Sequence, residues 1–139
     1  MDRITPAIYI GDIHDAANAQ WLSEGSPTAV LKLTHGDPET PYPDDVTVSE
    51  VPMIDGPQND YEDFVRAVGA LLELLEDDHT VFVHCTAGIS RSGSVTAAAL
   101  AVRRETSFEA ALEAVTQHRP AVNPHPALRT QAERFLDAV

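Results

Sequence analysis

Apolar residues fall in short continuous runs over the first third of the chain and in helical spacing after residue 60. Ala7-Ile8-Tyr9-Ile10 reads as a short strand ending at Gly11. Asp15 to Glu24 reads as a weak helix anchored by Trp21 and Leu22. Thr28 to Leu33 is a largely apolar strand, and Val46 to Ile54 is a β-branched run that partly alternates. Between those two strands, Thr34 to Asp45 gathers three prolines, a glycine and four acids, which predicts a surface loop inside one domain.

Helical periodicity dominates the remainder. Asp60 is placed to cap a helix from Tyr61 to about Asp77, whose stripe is Phe64, Val68, Leu71, Leu72 and Leu75. Thr80 to His84 is short, continuous and apolar, as a buried central strand should be. A helix from about Ser92 to Arg104 follows. Thr106 and Glu109 have capping-box spacing and predict a helix burying Phe108, Ala111, Leu112 and Val115. Arg119 to Pro126 interrupts the pattern with three prolines, and a last helix carries Leu128, Ala132, Phe135, Leu136 and Val139. The alternation predicts an α/β fold: a central, mostly parallel sheet of about four to five strands flanked by helices.

The chain is 139 residues long, which suits a single domain spanning 1–139. No stretch approaches the ~20 consecutive apolar residues of a membrane-spanning helix, and the opening Met1-Asp2-Arg3-Ile4-Thr5-Pro6 lacks a signal-peptide pattern. The expected address is cytoplasmic. The one cysteine excludes an internal disulfide and leaves the fold to stand on packing. A net charge of −13 argues against nonspecific binding to nucleic acid or acidic membrane. Lys32 is the only lysine beside eight arginines, an acid-rich balance that suits concentrated salt and raises a halophilic source as a hypothesis.

One segment carries chemistry. His84-Cys85-Thr86-Ala87-Gly88-Ile89-Ser90-Arg91-Ser92-Gly93 leaves a buried strand, turns through small residues and enters a helix. In such an α/β fold a catalytic loop is expected at the carboxyl end of a central strand. Successive backbone N–H groups of a tight loop, joined by the first turn of a helix, make an anion cradle. Gly88 relieves the steric limit where the backbone curls. A thiol at the head of the cradle sits in positive potential that favours the nucleophilic thiolate. Arg91 offers a planar fork for two phosphate oxygens.

His84-Cys85, five residues, then Arg91-Ser92 resembles the signature of the cysteine-dependent protein tyrosine phosphatase superfamily, and the string HCTAGISRS is similar to its dual-specificity branch. Rhodanese-like sulfurtransferases usually have a loop one residue shorter. Ile8 to Gly11 resembles the family's opening strand, and Val51-Pro52-Met53-Ile54-Asp55 the strand leading to its general-acid loop. The resemblance implies hydrolysis of phosphomonoesters on phosphotyrosine, and also on phosphoserine and phosphothreonine, because a chain this short implies a shallow pocket.

Residue by residue, the resemblance implies that Cys85 forms a phosphocysteine and Arg91 binds the phosphoryl group within the loop Thr86, Ala87, Gly88, Ile89, Ser90 and Arg91. Ser92 would ease breakdown of the intermediate, or would merely cap the helix. His84 would order the loop. Asp55 would be the general acid, a role contributing about 10²–10⁴-fold, with Asp60 its rival. Asn123-Pro124 matches a loop near the pocket rim or a purely structural turn. His14, His35, His79, His118 and His125 show no clustered spacing and suit surface or capping roles. No cofactor and no metal site is expected, and a monomer is favoured. The partner would be a phosphorylated protein. The alternatives are a phosphoinositide, nucleotide or RNA 5′-phosphate, or an inactive phosphate-binding module. Without lysine or a further arginine in the loop interior, less charged substrates are favoured over polyanions.

Overall fold

The computed structural model describes residues 1–18 and 27–139. Its first strand, β1 (Asp2–Thr5), lies where the sequence offers no strand signal and pairs antiparallel with β2 (Ile8–Gly11). After α1 (Ile13–Ala16) come β3 (Ala29–Lys32), β4 (Thr47–Glu50), α2 (Tyr61–Glu76) and β5 (Val81–His84). The chain ends with α3 (Arg91–Arg104), α4 (Phe108–His118) and α5 (Pro126–Ala138). The five strands order as β1-β2-β5-β3-β4, and all pairings except β1 with β2 are parallel. The expected sheet of four to five strands is therefore realised at five.

β2, β3 and β5 are buried at every residue, as strands covered on both faces must be. Ile8, Ile10, Leu31, Val81 and Val83 face the main core beneath α2 to α5. The intervening Tyr9, Val30 and Phe82 face a thinner layer closed by Tyr42 and Val46. Period two along β5 thus sends His84 to the thin face and Cys85 to the helical core.

α3 is buried continuously from Ser92 to Ala101, and its serine, glycine, alanine and threonine residues let α2, α4 and α5 pack close around it. α2 starts after Asp60, whose carboxylate accepts from the Glu62 N–H at 2.9 Å. Leu74 and Ala67 join its buried face, whereas Leu72 is only partly buried.

Several expectations shift by a few residues. The run Val46 to Ile54 forms a ladder strand only over Thr47–Glu50. Beyond it the backbone stays extended, with the N–H groups of Val51 and Met53 donating to the carbonyls of Lys32 and Leu33 at 3.0 Å each. Pro52, lacking an N–H, falls between those two donors, so no β3 bond is forfeited. The cap of α4 is Ser107 rather than Thr106: Ser107 Oγ accepts from the Ala110 N–H at 3.1 Å. The helix before residue 105 begins at Arg91, one position earlier than expected. Val139 is 74% exposed and takes no part in the core. The weak helix expected from Asp15 to Glu24 overlaps α1, which Asp12 caps and which ends at Ala16; residues 19–24 of that expectation, with Trp21 and Leu22, lie outside the described residues. Among the described residues no helix is long and apolar enough to cross a membrane.

Candidate active site

The loop from Cys85 to Ser90 joins β5 to α3 at the carboxyl end of the sheet. The four carbonyl groups of Thr86 to Ile89 point outward to donors from other segments. Thr86 O accepts from the Ile13 N–H at 3.0 Å, and Ile89 O from the Asn123 N–H at 3.0 Å. Gly88 O accepts from Arg119 Nε at 2.8 Å, and Ala87 O from Arg119 Nη2 at 3.4 Å. In a trans peptide the N–H points opposite to the C=O, so four outward carbonyls turn the N–H groups of residues 87 to 90 to the concave side. That is the geometry of an anion cradle. Gly88 has φ +67, and a Cβ there would lie 2.6 Å from Arg119 Nη2 and 2.7 Å from Gly11 O.

The cradle opens into a cavity of about 600 Å³ lined by the loop, by Asp55 and by residues 123–126 and 129. Cys85 is at its floor, only 2% exposed, with Sγ 3.2 Å from Ser92 Oγ in the first turn of α3. Arg91 extends Nη2 to Thr86 Oγ1 at 2.9 Å and Nη1 to the Met53 carbonyl at 3.0 Å, bracing the cradle against the segment that leads to Asp55. Asp55 is exposed on the cavity wall. Its rival Asp60 is occupied as the cap of α2 and does not line the cavity.

His84 is fully buried on the opposite face of the sheet, with Nε2 2.6 Å from Tyr42 Oη. Burial, more than any other cause, pushes its imidazole down to about 4, and the positive charges of Lys32 and Arg91 act in the same direction. Tyr42 is itself pushed upward by burial and by the carboxylates of Asp37 and Glu50, so it stays protonated. A protonated phenol and a neutral imidazole thus share this hydrogen bond, with the donor set by the ring's tautomer. Lys32 lies in the same layer, 3% exposed, with Nζ 2.7 Å from Asp37 and 3.6 Å from Glu50.

The structure places Cys85, Thr86, Ala87, Ile89, Ser90, Arg91 and Asp55 along the cavity, with Ser92 behind Cys85 and Gly88 outside the lining. The rim segment Asn123-Pro124 also lines the cavity. His14, His35 and His118 are exposed, His79 bonds Thr28 Oγ1 at 2.9 Å, and His125 caps α5 while bordering the cavity. Among the described residues no cluster of His, Cys, Asp and Glu is arranged to hold a metal.

Several participants escape sequence reading. Arg129 of α5 is a second guanidinium at the cavity, with Nε donating to Pro124 O at 3.3 Å and Nη1 facing Glu109 at 3.5 Å. Arg119 braces the loop from outside and is itself held by Asp2 at 2.9 Å. His125 donates its backbone N–H to Ser90 Oγ at 2.7 Å. Only the tertiary fold brings these together; in sequence they are isolated polar residues in and just after a proline-rich break.

Residues 8–135 match the family model of the dual specificity phosphatase catalytic domain. The chain belongs to that family. Human dual specificity protein phosphatase 22 is 30% identical over 136 residues, spanning 97% of this chain and 73% of that protein. Mouse dual specificity protein phosphatase 15 is 29% identical over 136 residues, and this chain spans 57% of its length. A mouse putative dual specificity phosphatase, solved in complex with zinc tungstate, superposes with a TM-score of 0.87 at 25% identity, covering 99% of this chain and 86% of that one. As a member of the dual specificity phosphatases the chain is a cysteine-based phosphatase, and its sheet flanked by helices is the family's fold.

Proposed function

We propose that the chain is one catalytic domain that hydrolyses phosphomonoesters on phosphorylated proteins, phosphotyrosine and also phosphoserine and phosphothreonine, through a phosphocysteine at Cys85. The observation that carries this reading is the contact of Cys85 Sγ with Ser92 Oγ at 3.2 Å, on the floor of a cradle whose amides and Arg91 converge on one cavity.

In the first step the Cys85 thiolate attacks phosphorus while the phosphorus–oxygen bond to the leaving group breaks. Asp55 gives its proton to the departing oxygen. The inward N–H groups and the Arg91 guanidinium stabilise charge spreading over the equatorial oxygens. In the second step Asp55, now a carboxylate, takes a proton from water as the water attacks phosphorus and the sulfur–phosphorus bond breaks. Ser92 hydrogen-bonds the departing thiolate, and inorganic phosphate leaves. His84 acts behind the loop, ordering it without touching substrate. With a lone cysteine and no disulfide, the chemistry suits a reducing compartment such as the cytoplasm.

Kinetics on phosphotyrosine, phosphoserine and phosphothreonine peptides beside phosphoinositides tests the substrate class. The reading requires vanadate-sensitive turnover of the peptides without added metal, lost in Cys85→Ser. Preference for phosphoinositides, or activity retained by Cys85→Ser, would overturn it.

A further inference from the structure

The peptide unit between Met53 and Ile54, directly before Asp55, is held on both of its polar sides. Its carbonyl accepts from Arg91 Nη1 at 3.0 Å, and its N–H donates to Asn59 Oδ1 at 2.9 Å. Packing anchors this stretch only on its Met53 side, which is fully buried, since Ile54 is 44% exposed and Asp55 is exposed as well. Asn59, by contrast, is only 4% exposed, and its polar groups are all engaged. Its Nδ2 donates to Gln131 Oε1 at 2.9 Å and to Asp60 O at 3.3 Å, and its own N–H closes the loop on Gly56 O at 3.1 Å. Gln131 answers by donating Nε2 to the Asn59 carbonyl at 2.7 Å.

The chemistry of this exchange is selective. Each partner must both donate and accept, which only a side-chain amide does here: a carboxylate could not donate, and an apolar residue could do neither. Gln131 belongs to α5, the helix whose cap His125 and first-turn Arg129 border the cavity. The exchange therefore ties the Asp55 segment to the opposite wall.

We propose that Asn59 and Gln131 are positioning residues that fix Asp55 over the cradle, so that α5 sets how efficiently the leaving oxygen is protonated. This rests on reading Asp55 as the general acid. Misplacing an acid slows esters of basic leaving groups and spares esters whose leaving group needs no proton. Loss of a merely structural contact slows both alike.

The test measures kcat/KM for phenyl phosphate and for difluoromethylumbelliferyl phosphate in Asn59→Ala, Gln131→Leu, Asp55→Ala and the Asp55→Ala/Gln131→Leu pair. Gln131 is partly exposed, so its variant carries the test should Asn59→Ala fail to fold. For phenyl phosphate, each positioning variant should lose about tenfold or more. For the activated ester the loss should be less than about twofold, and Gln131→Leu should add nothing to Asp55→Ala. Equal losses on both esters, or losses that multiply in the double variant, would overturn the proposal. If Asp55→Ala itself showed no dependence on the leaving group, the acid assignment would fall and this inference with it. That outcome is distinct from a selective Asp55→Ala beside unselective Asn59 and Gln131 variants.

Discussion

Arg119 donates its Nε to the carbonyl of Gly88 at 2.8 Å, although the two residues are 31 positions apart. Asp2, at the start of β1, holds the same guanidinium at 2.9 Å. The first strand and the turn after α4 thus meet behind the loop and keep its carbonyls turned away from the cavity. Removing this brace should loosen the cradle without touching the nucleophile. Arg119→Met is expected to cost about 1.5–3 kcal/mol, the value of a hydrogen bond to a charged group. Part of that cost should appear as weaker inhibition by vanadate. Urea unfolding beside vanadate inhibition checks it; unchanged inhibition would mean that the brace does not shape the cradle.

Gly88 faces a stricter limit. Its φ of +67 and the 2.7 Å approach a Cβ would make to Gly11 O leave no room for alanine. Gly88→Ala should lose at least about 1–2 kcal/mol from left-handed strain alone, and more from the contact with β2. Activity should fall further than stability, because Gly88 is a turning point of the cradle. Thermal unfolding and turnover of the same variant would separate the two effects.

His84 gives a pH dependence whose direction follows from its burial. In the folded protein it takes up a proton only at about 4, against 6.5 for an ordinary histidine. The unfolded chain therefore binds one more proton between those values, and this source of stability is full above about pH 6.5. It falls as the pH drops toward 4, by about 3 kcal/mol across the window. Urea unfolding at pH 7 and pH 5 should show a steeper loss in the wild type than in His84→Gln. Parallel losses would contradict the buried, neutral ring.

The charge balance makes its own prediction. The net charge is −13, and the lone lysine is buried against Asp37 and Glu50. Repulsion among the remaining carboxylates should be relieved when salt shortens the screening length to about 3 Å at 1 M. Thermal unfolding across a potassium chloride series should give a rising Tm. A Tm that stays flat or falls would leave the acid excess without a role in salt adaptation.

The sequence makes the helical layer and the phosphate loop legible because both are local. Helical period fixes the inward face of α2 at Phe64, Val68, Leu71 and Leu75, and the loop lies within ten consecutive residues. Features that rest on distant partners stay hidden. Asp2 to Thr5 is polar at three of four positions and becomes a strand only because β2 offers it a partner. Asn59 and Gln131 are 72 residues apart and have no pattern in common. Lys32, at the end of an otherwise apolar strand, gives no sign that it is buried. The α4 cap turns on a single position, where Ser107 has the extended backbone a cap requires and its hydroxyl accepts from the Ala110 N–H.

A covalent intermediate on Cys85 is best trapped in Ser92→Ala. Removing the hydroxyl 3.2 Å from Sγ should slow departure of the thiolate in the second step, so the phosphorylated enzyme should accumulate. Acid quenching of Ser92→Ala during turnover of a phosphotyrosine peptide, followed by peptide mass spectrometry, is the decisive measurement. One phosphoryl group on the peptide containing Cys85 is the expected result. Turnover that proceeds with no label there, or with the label on another residue, would contradict it.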